Sequence, residues 1–262
     1  MIIPLAEVDD VRITTVIDNT IDSLLASSEV ARRLRLGPHA FGRAQPIAQH
    51  GFSALLEVRQ GTKQGTVLFD TGVSRTGILY NLDAMEIRPN AIQAIVLSHG
   101  HADHALGIPG LIERLGPRGL PLVLHPDAYL ERKVVLPNGE ESFLPAPKRT
   151  DFLQEGIELI EEVGPSLLVD SMVLVSGEVA RTTEFERGHP LHQARRHDHW
   201  EPDPLIHDDQ CAIVNLKDKG LVVLTGCGHA GIVNIVRNAQ RLTGVTTIHA
   251  IIGGFLSSSQ RD

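Results

Sequence analysis

The chain has 262 residues, 42% of them hydrophobic and 21% charged, with a formal net charge of −8 and a pI near 5.9. That is ordinary globular composition with enough apolar material for a real core, and the length fits one large α/β domain or two small ones. Its negative balance argues against nucleic-acid partners. The opening MIIPLAEVDD is no secretory leader, and no apolar run is long enough to cross a bilayer, so a soluble cytoplasmic protein without a membrane partner is expected.

The β-branched run from Val11 to Ile17 predicts a strand ending in a turn at Asp18-Asn19-Thr20. Ser53 to Val58 and Thr66 to Phe69 predict an antiparallel pair joined by a loop over Gln60 to Gly65, the second strand closing on Asp70-Thr71-Gly72. Ala91 to Leu97 predicts a buried strand that stops at Ser98-His99-Gly100. A helix follows with Leu106, Leu111, Ile112 and Leu115 inward, then a strand over Leu122 to Leu124. Lys133 to Pro147 is polar and proline-bearing and is expected as a surface excursion. Met172 to Val175 predicts a strand. Arg181 to Asp209 has no clear period and carries five histidines, the mark of a long loop with a function of its own. Cys211 to Leu216 and Leu221 to Thr225 predict a hairpin, Gly231 to Leu242 a helix, and Thr247 to Ile252 a last strand. Paired strands followed by strand, loop and helix occur twice, which suggests two β-rich halves face to face with helices outside.

Histidine is the unusual count, 13 against two tyrosines and one tryptophan. Three of them, with one aspartate, fall in Ser98-His99-Gly100-His101-Ala102-Asp103-His104, just after a buried strand. Neutral imidazole and carboxylate suit zinc and other borderline divalent ions. Residues i and i+2 of a strand-end loop can face one point, while Asp103 and His104, opening the next helix, can face a second. Thr225-Gly226-Cys227-Gly228-His229 repeats the strand-end geometry and makes His229 the natural third histidine beside His99 and His101. Cys227 reads either as a soft extra ligand or as a small buried residue, with burial favoured.

The His-x-His-x-Asp-His pattern resembles the hallmark of the metallo-β-lactamase superfamily, and Asp70-Thr71-Gly72 resembles its upstream acidic element. His50-Gly51-Phe52-Ser53, Ser176-Gly177-Glu178, Thr183-Glu184-Phe185-Glu186, Asp208-Asp209-Gln210 and the run from Gly220 to Cys227 are similar to a subgroup containing dihydropterin ribofuranosyl-aminobenzene phosphate synthases and related bacterial metal-dependent hydrolases. The resemblance implies one αββα sandwich over residues 1–262. It implies metal ligands His99, His101, Asp103, His104 and His229, with Asp103 catalytic and Asp70 orienting a metal histidine. Zinc is the expected ion, one or two per chain, with iron or manganese also suited to these donors.

The implied chemistry is attack on a small-molecule ester, lactone, amide or phosphoester by hydroxide, formed because a divalent ion lowers the pKa of bound water to about 7. The alternatives are condensation onto a pyrophosphate-activated pterin, or a catalytically impaired protein that binds metal and a small ligand. The last follows from a departure: where the family reads Gly-Gly-Phe-His, this chain reads Gly253-Gly254-Phe255-Leu256 and stops at Asp262, so a truncated second metal site and missing C-terminal elements are expected. His189, His192, His197, His199 and His207 are candidate substitutes, with His197-x-His199 the pair considered for a metal. Arg181 and Glu186 are candidate substrate contacts, and Asp208 and Asp209 either close a turn or line the cleft. An exposed last strand would leave a homodimer open.

Overall fold

The computed structural model describes residues 2–22, 24–33 and 42–255. Along the chain the strands are β1 (Glu7–Val8), β2 (Asp10–Ile17), β3 (Ser53–Gln60), β4 (Lys63–Phe69), β5 (Ala94–Val96), β6 (Leu120–Leu124), β7 (Arg132–Val135), β8 (Glu141–Leu144), β9 (Ile157–Glu161), β10 (Ser166–Leu168), β11 (Val173–Val175), β12 (His192–Arg196), β13 (His199–Pro202), β14 (Cys211–Leu216), β15 (Gly220–Thr225) and β16 (Ile248–Ile252). The α-helices are α1 (Gly77–Ala84), α2 (Ala102–Ala105), α3 (Ile108–Leu115), α4 (Arg149–Phe152) and α5 (Ile232–Thr243).

Two six-stranded sheets form the sandwich, one ordered β2-β3-β4-β5-β6-β9 and the other β10-β11-β14-β15-β16 with β1 beside β14. Strand alternation explains how each sheet is covered on both faces. Ala54, Leu56, Val67, Phe69, Ala94 and Val96 point between the sheets, where they meet Val173, Val175, Ala212, Val214, Val222 and Leu224. Their neighbours Leu55, Leu68, Ile95 and Leu97 point outward onto α1, α2, α3 and the Phe152 end of α4. On the far side, Leu174, Ile213, Leu221 and Val223 receive Ile235, Ala239 and Leu242, spaced four and three apart on α5. The layers are helix, sheet, sheet, helix. α5 stops at Gly244, whose φ of 73° and bond to the Gln240 carbonyl form a left-handed C-terminal cap.

Three expectations change. The Gln60–Gly65 loop shrinks to a turn at Gly61-Thr62, because Gln60 pairs with Lys63 and Arg59 with Gln64. Arg181–Asp209 is not structureless: β12 and β13 form a hairpin within it. Lys133–Pro147 is likewise no mere excursion, since β7 and β8 join that hairpin in a four-stranded sheet ordered β13-β12-β7-β8. Polar residues populate both faces of this small sheet, so no two-residue apolar period marks it. β16 is an edge strand of its sheet among the described residues, β10 being at the other end. The segment Leu256–Asp262, on which the expected truncation falls, lies outside the described residues. Among the described residues no helix is long and apolar enough to cross a membrane.

Candidate metal centre

The loops that follow β5 and β15, one from each sheet, meet at one rim of the sandwich. His99 Nε2 lies 3.0 Å from His101 Nδ1, and His229 Nε2 lies 3.2 and 3.1 Å from those two atoms. The three rings come from both sheets and close a triangle of nitrogens. Burial above all, reinforced by neighbouring positive groups, holds all three imidazoles well below their ordinary pKa, so they are neutral.

Asp70 sets which nitrogens face inward. It sits at the end of β4 with φ of 57° and is fully buried. Its carboxylate accepts from the Ser98 amide and hydroxyl, each at 2.7 Å, and from His104 Nδ1 at 2.7 Å. The Ser98 hydroxyl spends its one proton on Asp70, so it accepts from His99 Nδ1 at 2.9 Å and leaves His99 Nε2 bare. One carboxylate therefore fixes two rings, a shared form of the outer partner that orients metal-binding imidazoles. His229 has an analogous partner: its Nδ1 lies 3.1 Å from His189 Nε2.

Beside the triangle, His104 Nε2 faces Asp103 Oδ2 at 3.4 Å and Cys227 Sγ at 3.0 Å. Burial alone would lower His104, but Asp70 and Asp103 outweigh it and raise its pKa well above the ordinary value. Burial would likewise raise Asp103, yet its hydrogen bond to His104 and that ring's charge bring it down to about 2. The position thus favours positive charge. His50 approaches the same Asp103 oxygen at 3.5 Å from the solvent side.

The residues fit a divalent cation. Three ring nitrogens face one another, that of His99 with its lone pair free, and among the described residues His101 Nε2 is buried without a partner. An ion about 2.0–2.1 Å from each nitrogen needs nitrogens about 3.0 Å apart at right angles or about 3.4 Å apart in a tetrahedron, and the observed spacing sits between. Among the described residues two further donor groups lie close together, His99–Cys227–His229 and Asp103–His104–Cys227.

The segment Asp208-Asp209-Gln210 straps both loops. Asp208 accepts from the Gly100 amide at 2.7 Å and from Arg132 Nη2 at 2.7 Å. Asp209 accepts from the Ala230 amide at 2.8 Å, and Gln210 donates to the Leu97 carbonyl at 2.8 Å. Burial lifts Asp209 to about 7, against the pull of the Ala230 amide. Gly100 has to be glycine, because a Cβ there would run into the Ala128 carbonyl oxygen. Asp209 closes the turn that begins at Ile206, its amide 3.1 Å from the Ile206 carbonyl, and the two buried aspartates also hold the site's backbone.

The other sequence candidates divide. His189 and His192 join the cluster, with the His192 ring 5.6 Å from that of His101. His197 and His199 are exposed around the β12–β13 turn, and His207 pairs with Glu178 at 2.6 Å. Arg181 donates to the carbonyls of Val179 and Leu205, while Glu186 accepts from the Val233 and Asn234 amides at 2.8 and 2.9 Å. Arg181 is thus engaged by its own loop and Glu186 caps α5. His50 stood in a family-like phrase with no role attached, and only the approach of residues 50–52 to Asp103 reveals its position.

An αββα sandwich whose two strand-end loops bring His-x-His-x-Asp-His and a further histidine to one rim defines a class of metal-binding proteins. Residues 49–239 match the metallo-beta-lactamase superfamily, and the chain belongs to it. It is 28% identical over 222 residues, 79% of this chain and 71% of the relative, to 7,8-dihydropterin-6-methyl-4-(beta-D-ribofuranosyl)-aminobenzene-5'-phosphate synthase of Methanocaldococcus jannaschii. It is 32% identical over 214 residues, 80% of this chain and 73% of the relative, to the protein MJ0448 of the same organism. Among solved structures it aligns with Tm1679, described as a metal-dependent hydrolase of the beta-lactamase superfamily, at a TM-score of 0.66 and 24% identity, covering 96% of this chain and 79% of that one.

Proposed function

We propose that the protein is a cytoplasmic, divalent-metal-dependent hydrolase of a small-molecule ester, lactone, amide or phosphoester. The observation that carries this reading is the triangle of converging imidazole nitrogens, each within 3.2 Å of the others. His99 and His229 would hold the ion through Nε2 and His101 through Nδ1, with Asp103 and His104 serving a second position. Zinc suits the donors best. Such an ion supplies Lewis acidity, polarising a carbonyl or phosphoryl group and acidifying water.

The chain's own residues do the rest. Asp103, ionised at any physiological pH, accepts a hydrogen bond from the attacking water and orients it rather than acting as a strong base. His50, 3.5 Å away on the solvent side, helps hold that carboxylate in place. Asp70 and Ser98 keep the rings from turning as charge develops. The free thiols Cys211 and Cys227 accord with a reducing compartment.

The test is metal analysis of freshly purified protein, with a substrate panel of lactones, thioesters and phosphodiesters run beside Asp103→Ala. Bound metal, and turnover abolished by both the substitution and a chelator, are expected. Turnover unchanged in Asp103→Ala removes the site from the chemistry. The second reading, condensation onto a pyrophosphate-activated pterin, is favoured by the 28% identity to the methanogen synthase. Pyrophosphate released from such a pterin only when an aminobenzene co-substrate is present would select it over hydrolysis.

A further inference from the structure

Cys227 belongs to none of the three apolar clusters, whereas Cys211 fills space between β14 and α5. Its sulfur lies instead against His104 Nε2, which in turn faces Asp103 Oδ2. These three donor atoms fall within 4.8 Å of one another, and the same sulfur forms a comparable group with His99 and His229. It therefore sits where the nitrogen triangle adjoins the Asp103–His104 pair.

The backbone puts it there. A side chain at Gly226 would strike the Ser98 hydroxyl and crowd Asp70, and Gly228 has φ of 67°. The Gly254 amide holds the Gly226 carbonyl at 2.7 Å. The turn is thereby pinned on both sides of Cys227. His104 is oriented as well, because its Nδ1 is committed to Asp70 and only Nε2 points toward the sulfur.

We propose that Cys227 is a thiolate ligand of a second cation position built with Asp103 and His104, an inference that rests on the metal-centre reading given above. One nitrogen, one oxygen and one sulfur donor suit a borderline ion such as zinc or cobalt. They disfavour magnesium and calcium, which take oxygen alone. On binding, the Cys227 S–H bond and the His104 Nε2–H bond break, both protons pass to solvent, and metal–sulfur and metal–nitrogen bonds form with no change of oxidation state.

The test titrates chelator-stripped protein with cobalt(II) and follows absorption from the near ultraviolet through the visible. The wild type should take two ions, with a thiolate-to-cobalt charge-transfer band growing as the second binds. Cys227→Ser should lose that band and its second ion while keeping the first. Cys211→Ser should keep the band, which makes the assignment testable even if the Cys227 variant fails to fold. Cobalt bound by the wild type without the band, or a band lost in Cys211→Ser instead, overturns the thiolate ligand alone. A wild type that takes no cobalt overturns the metal-centre reading and the thiolate with it.

Discussion

Replacing Asp208 by alanine removes two things at once from the base of the site. The buried Gly100 amide loses its side-chain acceptor, at 2.7 Å. Arg132 loses one of two countercharges, retaining Asp203 at 2.9 Å. An unsatisfied buried amide costs about 1–3 kcal/mol. Breaking a buried ion pair from one side costs about 3–5 kcal/mol. The two losses share one side chain and do not add fully, so a destabilisation of about 3–5 kcal/mol is expected. With a urea m-value of about 3 kcal/mol/M, the unfolding midpoint should fall by about 1–1.7 M. The measurement belongs in the presence of a chelator, so that metal linkage does not mask it. Asp208→Asn keeps an acceptor for Gly100 and should lose less. A midpoint shift below about 0.3 M for the alanine variant would refute the strap as a determinant of the fold.

His189→Ala should weaken metal affinity by about 10–100-fold with little change in fold, because His229 loses the partner of its Nδ1; His189→Gln, whose carbonyl can accept from that nitrogen, should restore much of it. Chelator titration of both variants checks this. His99, His101 and His229 have depressed native pKa values, so the unfolded chain takes up protons at higher pH than the native one does. Their stabilisation is present above the ordinary histidine value of about 6.5 and is lost as pH falls below it. Asp209, raised to about 7, and His104, also raised, pull the other way above pH 6.5, and below it the three histidines outnumber Asp209, so the metal-free protein should show a falling urea midpoint between pH 6.5 and 5.5. Glu186→Ala should cost about 1 kcal/mol through loss of the α5 cap, read as a lower melting temperature with metal stoichiometry unchanged.

Sequence pattern revealed the sandwich best where both faces of a strand are covered. β5, β14 and β15 are apolar throughout their central residues, and α5 carries a clean stripe, so their places were readable to within a few residues. The sheet of β7, β8, β12 and β13 was not readable, because Lys133, Gln193 and Arg195 pair where a buried sheet would carry aliphatics. The site divides in the same way. His99, His101, Asp103 and His104 are contiguous, and their local spacing already implies convergence. Asp208 and His189 act across distances of 108 and 40 residues to reach Gly100 and His229, and no local pattern encodes such a contact. Cys227 showed its sequence neighbours but not its facing group, which is His104 rather than an aliphatic wall.

The nitrogen triangle straddles the seam of the sandwich, with two corners hung from one sheet and the third from the other. Slippage of the sheets by even an ångström would pull the corners out of register, while a cation seated among them would act as a rivet across the seam. Side chains buried between the sheets thus become tuning screws for metal affinity, and a cavity cut at Phe69 or Leu224 should be felt at the rim.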